Sequence, residues 1–262
     1  MILEKTNMKI IGIVPARMAA SRFPGKPLKL ILGRPLIEHC FVRARMYSSW
    51  DGLFLATCDA EIRDFAVRKN FPVIMTGSHH TRALDRVAEA AAKCGIPLAP
   101  DDLVVCVQGD EPLLAPDVID AVVKPFLADE QIKATMLGVP IVDEATFLNP
   151  DIVKLVHDLQ GNVLYTSRSP IPHCKKFSPE LGAMRVGGIF GFRWDLLQWF
   201  TRTPESPLER SEACDSNRLC DNGVFQRIAP IPFRPYVSVD SPEDVALVEK
   251  YMVSDPYWAS YK

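Results

Sequence analysis

The stretch KIIGIVPARMAASRFPGKPL, Lys9 to Leu28, decides the fold. Its first six residues form a short, β-branched apolar run, read as a buried strand. The run breaks at Pro15 into a loop holding Pro24, Gly25 and Pro27. From Pro35 onward Leu36, Ile37, Cys40, Phe41 and Ala44 recur at helical spacing, with Pro35 suited to a first turn. The unit is strand, loop, helix. Further apolar runs at Leu53–Thr57, Val73–Met75 and Leu103–Val107 alternate with helix-like stretches at Glu61–Lys69 and Leu84–Cys94. Such alternation predicts a mostly parallel sheet covered by helices, an α/β fold.

After Pro116 a helix-like segment leads to an apolar run at Ala134–Val139, and the alternation then lapses between about Asn149 and Pro207. We expect one α/β domain over residues 1–262 with an inserted subdomain at about 149–207. Within it Asp151–His157 and Asn162–Ser167 read as strands, Ser169–Pro172 as a Pro-rich turn, and Val186–Phe192 as a glycine-rich segment. Ser206–Cys220 reads as one helix, Val224–Ile231 as a strand, and Ser241-Pro242-Glu243-Asp244 as a capped helix start.

With 262 residues, 48% of them hydrophobic, the chain can bury a large core without staples. A net charge of -2 gives no global basic excess for nucleic acid or an anionic membrane, so any anion site must be local. The apolar run at Ile10–Val14 is too short for a membrane span or a signal segment, and a cytoplasmic enzyme is the expectation. Seven cysteines without CxxC spacing read as reduced thiols, and five histidines offer no zinc spacing.

Two kinds of feature carry chemistry. Arg17, Arg22 and Lys26 place three cations in a loop leaving the end of a buried strand, where α/β folds bind ligands. Backbone N–H groups around Ala16–Ala20 would cradle phosphate oxygens, Arg22 offers bidentate geometry and Lys26 a point charge. A solvated basic loop is the competing reading, and the loop matches neither GxxxxGK[ST] nor GxGxxG. In Gln108-Gly109-Asp110-Glu111-Pro112, Asp110 falls at a strand end, where a carboxylate suits Mg²⁺ shared with substrate phosphates. A turn that caps the next helix is the competing reading of the segment. Asp240, in Val239-Asp240-Ser241-Pro242-Glu243-Asp244, is a candidate second carboxylate or an ordinary acid at a helix N-terminus.

Together these segments resemble the 3-deoxy-manno-octulosonate (KDO) cytidylyltransferases, which are akin to the acylneuraminate cytidylyltransferases. The resemblance runs from about Lys9 to Met252. Its markers are PAR..SRFPGKPL at 15–28, AT.D at 56–59, LDR at 84–86, QGDEP at 108–112, NP..VK at 149–154, LY.SR..IP at 164–172, GGIFGF at 187–192, PLE at 207–209 and VD.PED at 239–244. The resemblance implies a Rossmann-like nucleotidyltransferase fold and a homodimer formed through the inserted segment. It also implies a CTP-dependent, Mg²⁺-assisted reaction in lipopolysaccharide precursor synthesis. In it the anomeric hydroxyl of a 2-keto-3-deoxy sugar acid attacks the α-phosphorus of CTP and pyrophosphate leaves. By the same resemblance Pro15, Ala16, Arg17, Arg22, Lys26, Arg86 and Gln108 hold the nucleotide, and Asp110 and Asp240 hold the metal. Gln108, Arg168, Arg185 and Asp215 face the acid.

The chain departs from that pattern in three places. The family's RHLGIYGY is here Arg185 to Phe192 with Val186 for the histidine and Phe190 for the tyrosine, so two polar partners for sugar hydroxyls are gone. LEQLR becomes Cys214-Asp215-Ser216-Asn217-Arg218. HxSGTDR becomes His80-Thr81-Arg82-Ala83-Leu84-Asp85-Arg86, which alters the segment expected to read the cytosine. The phosphate and metal parts are intact and the acceptor parts are changed, so another ulosonic or sialic-type acid, or a phosphonate, is the alternative acceptor. A sugar-1-phosphate nucleotidyltransferase and an inactive nucleotide-binding regulator are the more distant alternatives.

Overall fold

The computed structural model describes residues 8–19 and 23–262. In chain order its elements are β1 (Ile10–Pro15), β2 (Leu30–Ile31), β3 (Arg34–Pro35), α1 (Leu36–Arg45), β4 (Gly52–Thr57), α2 (Ala60–Arg68), β5 (Val73–Met75), α3 (Ala83–Lys93), β6 (Leu103–Val107) and α4 (Pro116–Ala128). There follow β7 (Ala134–Pro140), α5 (Glu144–Leu148), β8 (Lys154–His157), β9 (Val163–Ser167), β10 (Met184–Arg193), α6 (Trp194–Arg202), α7 (Pro207–Glu212), α8 (Ser216–Asp221), β11 (Arg227–Pro230) and α9 (Pro242–Met252). The chain divides into two compact units, Met1–Asp120 with Pro235–Lys262, and Ala121–Arg234.

The first unit is built on the parallel strands β6-β1-β4-β5. Every residue of β1 and β6 is buried, which is why both read in the sequence as unbroken apolar runs instead of alternating ones. The helices show the other period: α3 buries Leu84, Val87, Ala88 and Ala91, and α1 buries Leu36, Ile37, Cys40, Phe41 and Ala44, each a stripe at three- and four-residue spacing.

This unit also carries a buried cation outside the loop after β1. Arg43 on α1 is fully buried and donates from Nε to the Tyr261 hydroxyl at 2.8 Å, and from Nη1 to Asp255 at 3.0 Å and to the Leu114 carbonyl at 3.2 Å. His39 also meets the Tyr261 hydroxyl, at 2.9 Å, and lies against Trp258. The C-terminal segment is thereby tied to α1. Arg43→Ala is expected to destabilise the protein by about 3 kcal/mol or more, because it strands Asp255 and opens a cavity together. Urea unfolding at neutral pH checks this, and a loss below about 1 kcal/mol would contradict it.

The second unit pairs β7 in parallel with β11 and antiparallel with β10, while β8 pairs antiparallel with both β10 and β9. The glycine-rich segment expected at Val186–Phe192 lies within β10. Its register against β7 shifts between Val186 and Phe190, and Gly187 sits there because a Cβ would come within 2.4 Å of the Leu137 side chain. Val186 and Phe190, the two apolar replacements, pack against the cluster of Met136, Leu155, Val163 and Ile228.

The single helix expected over Ser206–Cys220 is two. α7 starts with a capping box from Ser206 and Glu209 and ends at Ala213, whose φ of 49° is left-handed, and α8 follows. The break lets α8 fold back so that Arg218 pairs with buried Glu209 at 2.6 Å and lies 4.1 Å from the Phe200 ring. Positions 209 and 218, nine apart, would lie far from each other along a continuous helix. The marker NP..VK also finds a structural reason: fully buried Lys154 donates to the carbonyls of Asn149, Ile152 and Arg168, and burial followed by the Arg168 charge lowers its pKa.

Candidate nucleotide site

The loop after β1 is fastened at several points. Ala16 N–H bonds the Ala56 carbonyl at 2.9 Å, Met18 N–H bonds the Asp59 carboxylate at 2.7 Å, and Gly25 N–H returns to the Met18 carbonyl at 3.0 Å. The turn Lys26–Leu28 then presents the Lys26 side chain. Arg22 lies outside the described residues, so its place in the loop is not part of this geometry.

Asp110 follows β6 through Gly109, where a Cβ would stand 2.6 Å from the Pro15 carbonyl oxygen. Glycine is what allows the two strand ends to approach so closely. The Asp110 carbonyl accepts Val239 N–H at 2.9 Å, which draws the 238–240 segment alongside. Asp244 accepts the N–H of both Asp240 and Ser241, at 2.9 and 2.7 Å, fixing the main chain beside Asp240 as it caps α9.

These constraints bring three sequence-distant groups together. Lys26 Nζ lies 2.9 Å from Asp110 Oδ2, 3.4 Å from Asp240 Oδ1 and 2.7 Å from the Val239 carbonyl. Burial alone would lower the Lys26 pKa, but the two carboxylates outweigh it and hold the pKa above its ordinary value.

A cavity of about 260 Å³ opens here, lined by Pro15, Ala16, Arg17, Lys26, Arg86, Gln108, Asp110 and Asp240, all expected from the sequence. Phe23, His80, Thr81 and Arg82 line it as well. Four cationic side chains, Arg17, Lys26, Arg82 and Arg86, face two carboxylates, so the walls carry an excess of positive charge suited to a polyphosphate. Arg86 is only 3% exposed; it donates to the Thr76 hydroxyl and to the Gly77 carbonyl, and its buried Nη2 has no hydrogen-bond partner among the described residues. A buried guanidinium nitrogen left in that state is a donor waiting for an anion.

Two carboxylates converging on one cation also form the donor set that a hard divalent ion takes. Among the described residues no group of three or more His, Cys, Asp or Glu forms a metal-holding cluster, so phosphate oxygens and water would complete the shell.

Arg168, Arg185 and Asp215 belong to the second unit. Arg168 Nε donates to the Glu212 carbonyl at 2.9 Å and Nη1 to the Pro150 and Asp151 carbonyls. Arg185 lies on β10 opposite Val139 and Lys154, and Asp215 precedes α8. Two residues that hold the cavity walls have no role in the sequence reading. Asp59 anchors the loop at Met18, and its trace in the sequence was the AT.D marker. Glu89 on α3 binds Gly77 N–H at 2.9 Å, His80 and Lys93. Burial works against its ionisation, but Lys93, the Gly77 N–H and His80 lower its pKa to about 2.

The chain matches the family model described as cytidylyltransferase over residues 11–228. A 3-deoxy-manno-octulosonate cytidylyltransferase of Nitratidesulfovibrio vulgaris is 42% identical over 90% of this chain and 93% of its own length. One from Syntrophotalea carbinolica is 37% identical over 94% and 99%. Among solved structures, a CMP:2-keto-3-deoxy-manno-octonic acid synthetase complexed with CTP superposes with a TM-score of 0.84 at 30% identity, over 94% of this chain and 98% of its own. A 4-diphosphocytidyl-2C-methyl-D-erythritol synthase of Anaerococcus prevotii, at 14% identity and TM-score 0.61, shares the fold alone. With a mixed α/β fold whose central strands run mostly parallel, the chain belongs to the cytidylyltransferase family, and within it to the 3-deoxy-manno-octulosonate cytidylyltransferases.

Proposed function

We propose that this protein transfers the cytidylyl group of CTP to a 2-keto-3-deoxy sugar acid of the 3-deoxy-manno-octulosonate type, releasing pyrophosphate. The observation that carries the reading is Lys26 held between Asp110 and Asp240 in a cavity whose other cations include the partner-short guanidinium of Arg86. Arg17, Lys26 and Arg86 hold the triphosphate and the charge that develops on the leaving pyrophosphate, with Arg22 assigned to the same task from its place in the loop. Pro15, Ala16 and Gln108 complete the nucleotide wall. Catalysis is then mostly positioning and charge neutralisation around the α-phosphorus.

Asp110 and Asp240 are the residues we assign to Mg²⁺, which when bound would screen the repulsion between an anionic acceptor and an anionic phosphate. The anomeric hydroxyl oxygen forms the new bond to the α-phosphorus, and the bond from that phosphorus to the β-bridging oxygen breaks. The hydroxyl proton passes to solvent as the phosphodiester forms and pyrophosphate departs with the electrons of the broken bond. For recognition of the acid we assign Gln108, Arg168, Arg185 and Asp215. We further propose a homodimer formed through the inserted segment at about 149–207 and a cytoplasmic place in lipopolysaccharide precursor synthesis. No helix among the described residues is long and apolar enough to cross a membrane.

A second reading keeps CTP and changes the acid. It is favoured by Val186 and Phe190, which pack on apolar neighbours where hydroxyl-bonding side chains are expected in the family. Pyrophosphate release with CTP and a panel of acids tests both. The leading reading predicts 3-deoxy-manno-octulosonate as the best acceptor, a different ulosonic or sialic-type acid at the top of the panel supports the second, and no turnover with any acid overturns both. Turnover with UTP or dTTP and sugar 1-phosphates would move the protein to another class of nucleotidyltransferase.

A further inference from the structure

We propose that Glu89 is a positioning residue for nucleotide binding, acting through His80. The inference rests on the reading of the cavity as the CTP site. Glu89 is not part of the cavity lining, whereas His80 is.

One oxygen, Glu89 Oε2, accepts both the Gly77 N–H and the His80 Nε2, so a single carboxylate oxygen ties the two ends of the Gly77–His80 segment to α3. The His79 ring braces the other side of His80, with centroids 4.2 Å apart. The segment in turn touches two of the cavity's cations. Arg17 Nη1 approaches the His80 carbonyl at 3.5 Å, and Arg86 Nη1 approaches the Gly77 carbonyl at 3.4 Å. Arg17 and Arg86 come from elements far apart in sequence, yet both are registered against the short stretch that Glu89 fixes.

Charge supports the assignment. With its pKa near 2, Glu89 is fully ionised at neutral pH and makes a charge-assisted bond to the main chain and to the imidazole. Lys93, one turn further along α3, occupies the other oxygen from the exposed side. Glu89 therefore has an inner face turned to the nucleotide wall and an outer face that serves only the helix surface. Removing the carboxylate would leave Gly77 N–H without its acceptor and His80 without its anchor, so the segment that registers Arg17 and Arg86 loses its support while every side chain of the cavity lining is retained. Removing a partner that orients a metal ligand weakens such sites by about ten- to a hundredfold, and a loss at the lower end of that range is expected here.

The experiment measures CTP affinity by calorimetry without acceptor, on the full chain, together with melting temperatures and the separate kcat and KM for CTP. Glu89→Ala and His80→Ala are each expected to weaken CTP about tenfold. The double variant should be no weaker than either alone, because both changes remove one arrangement. Lys93→Ala should leave the affinity unchanged. Glu89→Gln, which keeps an acceptor for Gly77 N–H, should fall between wild type and Glu89→Ala, and it stands in if the alanine variant does not fold. Wild-type CTP affinity in Glu89→Ala, or additive losses in the double variant, would overturn the positioning role while leaving the CTP reading intact. A wild-type chain that binds no CTP would overturn the reading beneath it and the role with it.

Discussion

Asp240→Asn is expected to lower Mg²⁺-dependent turnover by at least about a hundredfold at saturating CTP, with little change in the melting temperature. The variant keeps the size of the side chain and an oxygen that can accept from Lys26, which stands at 3.4 Å in the wild type. The main-chain bonds from Asp240 and Ser241 to Asp244 also remain, so the start of α9 is not disturbed. What the variant lacks is one of two negative charges that converge where the cavity concentrates cations. Cationic groups that stabilise negative charge developing in a transition state contribute about 10²–10³ in kcat when lost singly, and Asp240 would act in this way through the Mg²⁺ it is assigned to hold. Pyrophosphate release against Mg²⁺ concentration, with thermal melting alongside, separates a charge effect from a folding effect. Near-normal kcat would show that the negative charge of Asp240 is not needed for turnover.

Lys26→Ala is expected to have the second large effect, at least about a hundredfold in kcat/KM for CTP, and Lys26→Arg is expected to restore little of it. The ammonium satisfies three acceptors at once, Asp110, Asp240 and the Val239 carbonyl, within 3.4 Å. It can do so because it is a compact point charge with three donors; a planar guanidinium is wider and its donors diverge. Lys26→Ala also leaves two carboxylates facing each other in the free protein, which adds a loss that acts before any ligand binds. Substantial recovery by Lys26→Arg would mean that net charge in the loop matters and the fitted geometry does not.

The parts of this molecule that were legible in the sequence are those governed by local rules. β1 and β6 were readable because strands buried on both faces cannot alternate, and α1 and α3 because a single buried stripe repeats at helical spacing. Arg17, Lys26, Asp110 and Asp240 were legible as candidates because chemistry-bearing residues cluster at strand ends, Arg86 on α3 and Gln108 only through the family resemblance, and the cavity is lined by all six. Asp59 and Glu89 were not, because each acts through a bond to a main-chain N–H, at Met18 and Gly77, which leaves no pattern in side-chain spacing. The split of the expected 206–220 helix was also hidden. Nothing in local propensity marks Ala213 as left-handed; the turn there goes with a long-range feature, the pairing of Glu209 with Arg218 across the break. Val186 and Phe190 were seen as departures, but only the structure shows the apolar cluster they join.

Phosphorus NMR of the wild-type protein with CTP, Mg²⁺ and 3-deoxy-manno-octulosonate asks the decisive question, whether the cavity directs an acid to the α-phosphorus. The expected result is loss of the three CTP resonances with equal growth of pyrophosphate and of one new phosphodiester, dependent on the acid. Appearance of inorganic phosphate and CDP would place the attack at the γ-phosphorus. Pyrophosphate with CMP and no phosphodiester would make water the acceptor, and either outcome would contradict cytidylyl transfer to a sugar acid.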